Sequence, residues 1–174
     1  TLDQSGTGTV KFTSNLTATG AGSKVLTLQG STAGTGEISG AIVDNSVTNT
    51  TGVTKSGTGT WVLSGTNTYT GATTLNGGTL QVGAGGAGSI GNSAVTVNST
   101  ATLSGSGSIA GSTMIGSGAV LAPGDGNPDT NNATLTFSAA TTSLTVADTG
   151  SIHLSLTTAD STDASFADWF HGNP

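Results

Sequence analysis

Apolar residues along this chain recur in pairs two positions apart, separated by one polar residue. Leu26 with Leu28, Leu80 with Val82, Val95 with Val97, Leu135 with Phe137, and Leu144 with Val146 follow the pattern. Ile152, Leu154 and Leu156 extend it to three. Alternation of this kind places the apolar side chains on one face of a β-strand. The polar partners are mostly Thr, Ser, Lys and Gln. Each run lasts only three to six residues and is closed by a turn cluster such as Asn76-Gly77-Gly78, Gly83 to Gly88, or Gly105-Ser106-Gly107. The pattern predicts many short strands and no long helix.

The runs also repeat. Ser5-Gly6-Thr7-Gly8-Thr9 recurs as Ser56-Gly57-Thr58-Gly59-Thr60. Val10 and Phe12 follow the first copy, Trp61 and Leu63 the second. Such self-similarity implies a stacked array of coils. A sandwich or barrel would also suit short, regularly spaced strands, but it needs tight Asn-Gly or Asp-Gly hairpins between most of them. The chain has Asn76-Gly77 and Asp125-Gly126, while its other turns are longer Gly/Ser/Thr runs. A coil of about 20 residues with two or three strands accounts better for the repeats. The expected fold is therefore all-β, a right-handed parallel β-helix (β-solenoid). Its core rungs are expected to be Val10, Phe12, Leu26, Leu28, Trp61, Leu63, Leu80, Val82, Val95, Val97, Leu135, Phe137, Leu144, Val146, Ile152, Leu154 and Leu156. Residues 1–156 would form the β-helix domain, with 157–174 as a capping or assembly tail.

Composition sharpens this picture. Of 174 residues, 33% are hydrophobic, 7% are charged and 29 are Gly. Exposed helix faces need more Glu, Lys and Arg than this. Thr can cover a strand face instead, being β-branched with a hydroxyl for water. Disorder is the competing reading of so much Gly, Ser and Thr, but disordered chains lack regularly spaced Val, Ile and Leu. Three Lys and no Arg against nine acidic residues give a net charge of −6. Without a basic patch, nucleic-acid binding and adhesion to anionic membranes are disfavoured. No cysteine is present, so disulfides play no part. No apolar run approaches the ~20 residues of a membrane-spanning helix, and the start at Thr1 suggests a mature or excised fragment.

The richest stretch is Thr54-Lys55-Ser56-Gly57-Thr58-Gly59-Thr60-Trp61-Val62-Leu63-Ser64-Gly65, then Asn67-Thr68-Tyr69-Thr70-Gly71, then Asn76-Gly77-Gly78-Thr79-Leu80-Gln81-Val82. It resembles the autotransporter-associated β-strand repeat. The resemblance covers residues 23–124, with a weaker continuation to about 156. It implies a parallel β-helix in a large exported surface protein of Gram-negative or related bacteria, hence an extracellular or outer-surface location. The family has no shared catalytic residues to carry over. The chain departs from the pattern after Pro123, where Asp125 to Asn132 intervene as an expected protruding loop. No translocator barrel is read within these residues, so the expectation is either that this part lies outside the stretch or that the protein is exported and retained another way.

Several residues invite chemistry. Asp125, Asn127, Asp129 and Asn131 offer the oxygen donors that calcium favours, but their spacing matches no calcium loop, and a solvated turn explains them. Asp160, Asp163 and Asp168 could pair as glycosidase carboxylates, yet a sugar cleft also needs aromatic and basic residues that this chain lacks. His153 falls on the polar side of its run, and His171 sits in the tail without a partner pattern. No enzyme activity, cofactor or metal is therefore expected. Trp169 and Phe170 cap the last rung or form an interface. The expected role is a structural stalk or adhesin-like scaffold, facing host or matrix ligands. Self-assembly end to end or side by side into an extracellular filament is the alternative, and a polysaccharide-active enzyme on the same scaffold a distant third.

Overall fold

A computed structural model describes residues 1–31, 34–124, 134–138 and 143–152. The chain runs through short strands that return, coil after coil, to stack in parallel on the coil before. The first coil contains β1 (Leu2–Asp3), β2 (Val10–Phe12) and β3 (Leu16–Thr17). The next contains β4 (Lys24–Gln29), β5 (Thr35–Ile38) and β6 (Ile42–Val43). Then come β7 (Thr51–Lys55), β8 (Thr60–Leu63) and β9 (Thr66–Asn67), followed by β10 (Thr73–Leu75), β11 (Gly78–Val82) and β12 (Ser89–Ile90). β13 (Val95–Val97), β14 (Ala101–Gly105) and β15 (Ser108–Ile109) make the following coil. β16 (Thr113–Ile115), β17 (Val120–Pro123) and β18 (Thr136–Phe137) succeed it, and β19 (Leu144–Val146) and β20 (Ser151–Ile152) begin another.

These strands build three faces. The first is a seven-stranded parallel sheet, β1-β4-β7-β10-β13-β16-β19, and the second is β2-β5-β8-β11-β14-β17-β20. The third is divided into β3-β6 and β9-β12-β15-β18. Each strand pairs with its counterpart one coil away, so the fold is an all-β parallel solenoid. Strands this short are stable because every interior strand of the first two faces has a parallel neighbour on both sides, which satisfies the backbone groups.

Register aligns like positions into columns. On the first face Leu2, Leu28, Lys55, Leu75, Val97, Ile115 and Val146 align and point inward. On the second face Val10, Gly36, Trp61, Leu80, Leu103, Leu121 and Ile152 align. The third face contributes Asn67, Ile90, Ile109 and Phe137. These columns meet in one core, with Leu28, Leu63, Leu80, Val82, Val97 and Leu103 fully buried. Each such side chain contributes about 1.5–3 kcal/mol through burial. Outside, Thr27, Thr54, Thr74 and Thr96 form one row, and Thr35, Thr60, Thr79 and Thr102 another. That is how the solenoid covers its strands with few charges.

Coil length is not constant. Leu2 aligns with Leu28 and Leu28 with Lys55, advances of 26 and 27 residues. Lys55 aligns with Leu75, Leu75 with Val97 and Val97 with Ile115, advances of 20, 22 and 18. The early coils thus exceed the expected length of about 20. Part of the excess lies between the third and first faces, where residues 44–50 form a loop. Asp44 closes it by accepting from the Thr51 amide (2.7 Å) and the Thr70 hydroxyl (2.7 Å). Burial alone would raise the Asp44 pKa, but these hydrogen bonds outweigh it and hold the carboxyl below its usual range.

Two expected core positions need correction. Val10 and Leu144 are each 39% exposed. Val10 faces inward, but its column neighbour is Gly36, which has no side chain to cover it, and β2 is the outermost strand of its face. Leu144 lies in β19, the last strand of its face among the described residues, beside the small Thr113. Phe12, Leu26, Phe137, Val146 and Ile152 pack against the core while staying partly exposed. Leu154, Leu156, Trp169 and Phe170 lie outside the described residues.

Candidate functional site

Chemically distinctive side chains concentrate in the coil from Thr51 to Thr73. Lys55 follows Val53 by two residues, so strand alternation sends it inward. It occupies the column of Leu28 and Leu75 and is fully buried. Its ammonium escapes isolation by reaching the corner between the first and second faces. There Nζ donates to the carbonyls of Ser56 (2.8 Å), Gly57 (3.1 Å) and Gly77 (3.1 Å). Three donors meet three acceptors, two from its own corner and one from the corner of the next coil. Burial still disfavours the charge and pushes the Lys55 pKa down to about 8. Gly78 turns that next corner with φ of 62°. A Cβ there would lie 2.7 Å from the Lys55 Nζ and 2.5 Å from two carbonyl oxygens, so the corner admits only glycine.

Trp61 is the largest buried side chain. Its ring lies over Gly36 in the preceding coil, where an added Cβ would meet ring carbons at 2.5 Å. The ring then stacks on Phe12, with centroids 6.3 Å apart and planes 19° from parallel. Its indole N–H donates to the Gln29 carbonyl at 2.9 Å. One side chain therefore fills its own position and the space over Gly36, and touches Phe12 of the neighbouring column in the coil beyond. An empty position in one coil and an oversized residue in the next are complementary.

Asn67 and Tyr69 complete the set. Asn67 sits in the apolar column of the third face, where β6 and β9 belong to separate sheets. Its Oδ1 accepts the Ile42 amide at 2.8 Å, and its Nδ2 donates to the carbonyls of Gly65 (3.0 Å) and Ser89 (2.8 Å). The amide side chain thus adds to the single backbone bond across the gap, from the Thr68 amide to the Ile42 carbonyl at 3.0 Å. The Tyr69 hydroxyl bonds Thr73 Oγ1 at 2.8 Å, Thr73 Oγ1 bonds Ser93 Oγ at 2.8 Å, and Ser93 Oγ donates to the Gly71 carbonyl at 2.7 Å. Burial pushes the Tyr69 pKa well up. Among the described residues no buried side-chain polar atom lacks a partner. The arrangement holds backbone together; its polar groups are committed to one another.

Trp61, Leu63, Leu80 and Val82 lie inward and buried. Sequence reasoning did not single out Lys55, Asn67 and Tyr69 as interior residues. The signal was available, because each shares strand parity with a buried neighbour. The oxygen-rich loop from Asp125 to Asn132, the carboxylates Asp160, Asp163 and Asp168, and both His153 and His171 fall outside the described residues. Among the described residues no group of three or more His, Cys, Asp or Glu could hold a metal. On the surface, Lys11 pairs with Glu37 at 2.9 Å. The Ser64 hydroxyl and then Lys11 hold the Glu37 carboxyl below its usual range.

The geometry defines a class: a parallel β-solenoid whose coils are joined by side chains that cross from one turn to the next. The comparison with known families agrees, since residues 53–82 match the passenger-associated-transport-repeat. That stretch thus matches a repeat of the passenger type, and the parallel solenoid fold fits the match. No curated protein and no solved structure matches the chain.

Proposed function

We propose that this chain is a rigid spacer of an extracellular bacterial surface protein, a stalk or adhesin-like scaffold whose work is mechanical rather than catalytic. The observation that carries this reading is the unbroken parallel ladder of the first two faces. Force along the axis is shared among many backbone hydrogen bonds, and each coil supports its neighbours. Interior polar groups add cohesion between coils, as Lys55 and Asn67 do. The few surface charges suit a scaffold that presents distance and shape. If the chain is a spacer, length should follow coil number. Excising residues 73–94, one coil, should leave a folded rod shortened by about 4.8 Å, the separation of neighbouring strands. Small-angle scattering on the two purified proteins measures this. Collapse to an unfolded chain, or unchanged length, would sink the reading.

A second reading, a self-associating filament subunit, is favoured by the edge formed by β1, β2 and β3. Among the described residues each has a strand neighbour on one side only. Beside β3 and β4, a partly apolar cavity of about 360 Å³ opens between Leu2, Leu16, Val25, Leu26 and Ile42. Unpaired strand edges favour addition of another strand. Sedimentation across a range of concentrations tests it: growth into rods of uniform width supports a subunit, and a persistent monomer rejects it.

A further inference from the structure

We propose that Asn76 is a site of spontaneous covalent modification in the folded protein, converting through a cyclic imide with Gly77 into aspartyl and isoaspartyl forms. Asn76-Gly77 is the one Asn-Gly step in the sequence. It lies in the turn between β10 and β11, with Asn76 exposed. Three features of the turn favour the reaction. The attacking group is the Gly77 backbone nitrogen, which belongs to no strand and donates to no acceptor among the described residues. Gly77 has no side chain to obstruct its approach. Asn98, aligned one coil away, donates from Nδ2 to Asn76 Oδ1 at 2.8 Å. That donor polarises the carboxamide carbonyl and stands where negative charge develops as Gly77 attacks.

The chemistry balances without any co-reactant except water. The Gly77 nitrogen bonds to Cγ of Asn76 and gives up its proton to solvent. The Cγ–Nδ2 bond breaks, and the nitrogen leaves as ammonia. Water then opens the imide. Opening at Cγ gives an aspartate side chain, whereas opening at the main-chain carbonyl routes the backbone through the β-carbon. The second product lengthens the chain at a sensitive place. The Asn76 amide donates to the Lys55 carbonyl at 2.8 Å, and the Gly77 carbonyl accepts from Lys55 Nζ at 3.1 Å. The inserted carbon falls between these two anchors, so modification loosens the cage around the buried ammonium. The other asparagines of this region are less suited: Asn67 is buried with both side-chain atoms bonded, and Asn92 and Asn98 precede serine.

The test is peptide mapping by mass spectrometry after holding the native protein in mildly alkaline buffer. The expected result is the mass gain of exchanging an amide NH₂ for OH, confined to the peptide containing Asn76, with isoaspartate detected by enzymatic methylation. Asn98→Ala should slow conversion several-fold in the native protein and leave the rate in urea unchanged. An intact Asn76 in the native protein, with conversion only in urea, would overturn the proposal. So would an Asn98→Ala variant that converts at the native rate.

Discussion

Two stretches of this solenoid, one coil apart, solve the same packing problem differently. The coil around β13, β14 and β15 fills its interior with Val95, Val97, Ala101, Leu103 and Ile109, all small or medium apolar residues in register. The coil around β7, β8 and β9 places Lys55, Trp61 and Asn67 in the equivalent columns. The interior of the plain coil coheres by apolar burial, and its side-chain bonds to the preceding coil, Asn98 to Asn76 and the Gly86 amide to Ser106, lie at the turns. The other coheres by reaching: Lys55 to the next coil, Trp61 to the preceding two, Asn67 in both directions. The location explains the difference. Coils before this point advance by 26 and 27 residues, and the coil after it by 20. Where coil size changes, the third-face ladder thins to one backbone bond, Thr68 amide to Ile42 carbonyl, and side chains that cross the gap reinforce it.

The strongest way to break this contrast is at Trp61. Trp61→Ala should cost about 3–5 kcal/mol, because it empties the space over Gly36 as well as its own. Leu103→Ala, in the plain coil, removes one coil's worth of packing and should cost less, about 2–3 kcal/mol. Urea denaturation of the two variants gives the comparison. A rescue sharpens it: Gly36→Leu combined with Trp61→Leu makes the column uniform and should recover much of the loss, whereas Gly36→Leu alone should clash with the ring. Equal losses for Trp61→Ala and Leu103→Ala would show that the ring spans no further than a leucine.

Asn67 comes next. Asn67→Leu matches the volume and the apolar column, yet leaves the Ile42 amide unpaired and takes the Asn67 donor from the Ser89 carbonyl, while the Gly65 carbonyl keeps the Ser89 amide. Each orphaned buried group costs about 1–3 kcal/mol, partly offset by the added apolar burial. A net loss of about 2–4 kcal/mol is expected. In hydrogen exchange, faster exchange of the Ile42 amide should accompany it, since that amide bonds directly to the lost side chain. An Asn67→Leu variant as stable as the parent would make the amide a passenger in the column.

Much of this was open to reading from the sequence, for a physical reason. A solenoid coil imposes alternation and turn glycines locally, so Leu80 with Val82 and Val95 with Val97 announce buried strands without knowledge of what they touch. The transfer from alternation to burial fails where neighbours in the stack matter. Val10 follows the pattern and is exposed, because its neighbour in the column is Gly36 at the edge of a face. Lys55 follows the same pattern and is buried, although its chemistry argues for the surface. Coil register decides both, and register joins residues 18 or more positions apart. The three-carbonyl corner that receives Lys55 is a property of two turns in contact, which no single stretch of sequence displays.

The buried Lys55 and Tyr69 also separate the two coils by pH. Below pH 8 Lys55 is charged in the folded and unfolded chain alike, and the folded state bears the cost of burying it. Between its folded value of about 8 and its ordinary 10.5, the unfolded chain binds the proton that the folded chain has released. Stability therefore rises with pH across that window. The gain is on the order of 2 kcal/mol, because the open groove along Gly57, Gly77 and Gly78 lets water screen part of the cost. Tyr69 acts in the opposite sense. Above its ordinary 10.0 the unfolded chain loses the phenol proton while the buried hydroxyl, held by Thr73, keeps it. Stability then falls with further rise in pH. The two groups together place a maximum near pH 10 in the alkaline limb of the stability curve. Lys55→Met should abolish the rise and leave the fall; Tyr69→Phe should weaken the fall and leave the rise. Urea titrations at intervals across this range read both limbs. A parent protein whose stability declines steadily from pH 8 upward would mean that the three carbonyls hold the ammonium charged despite its burial.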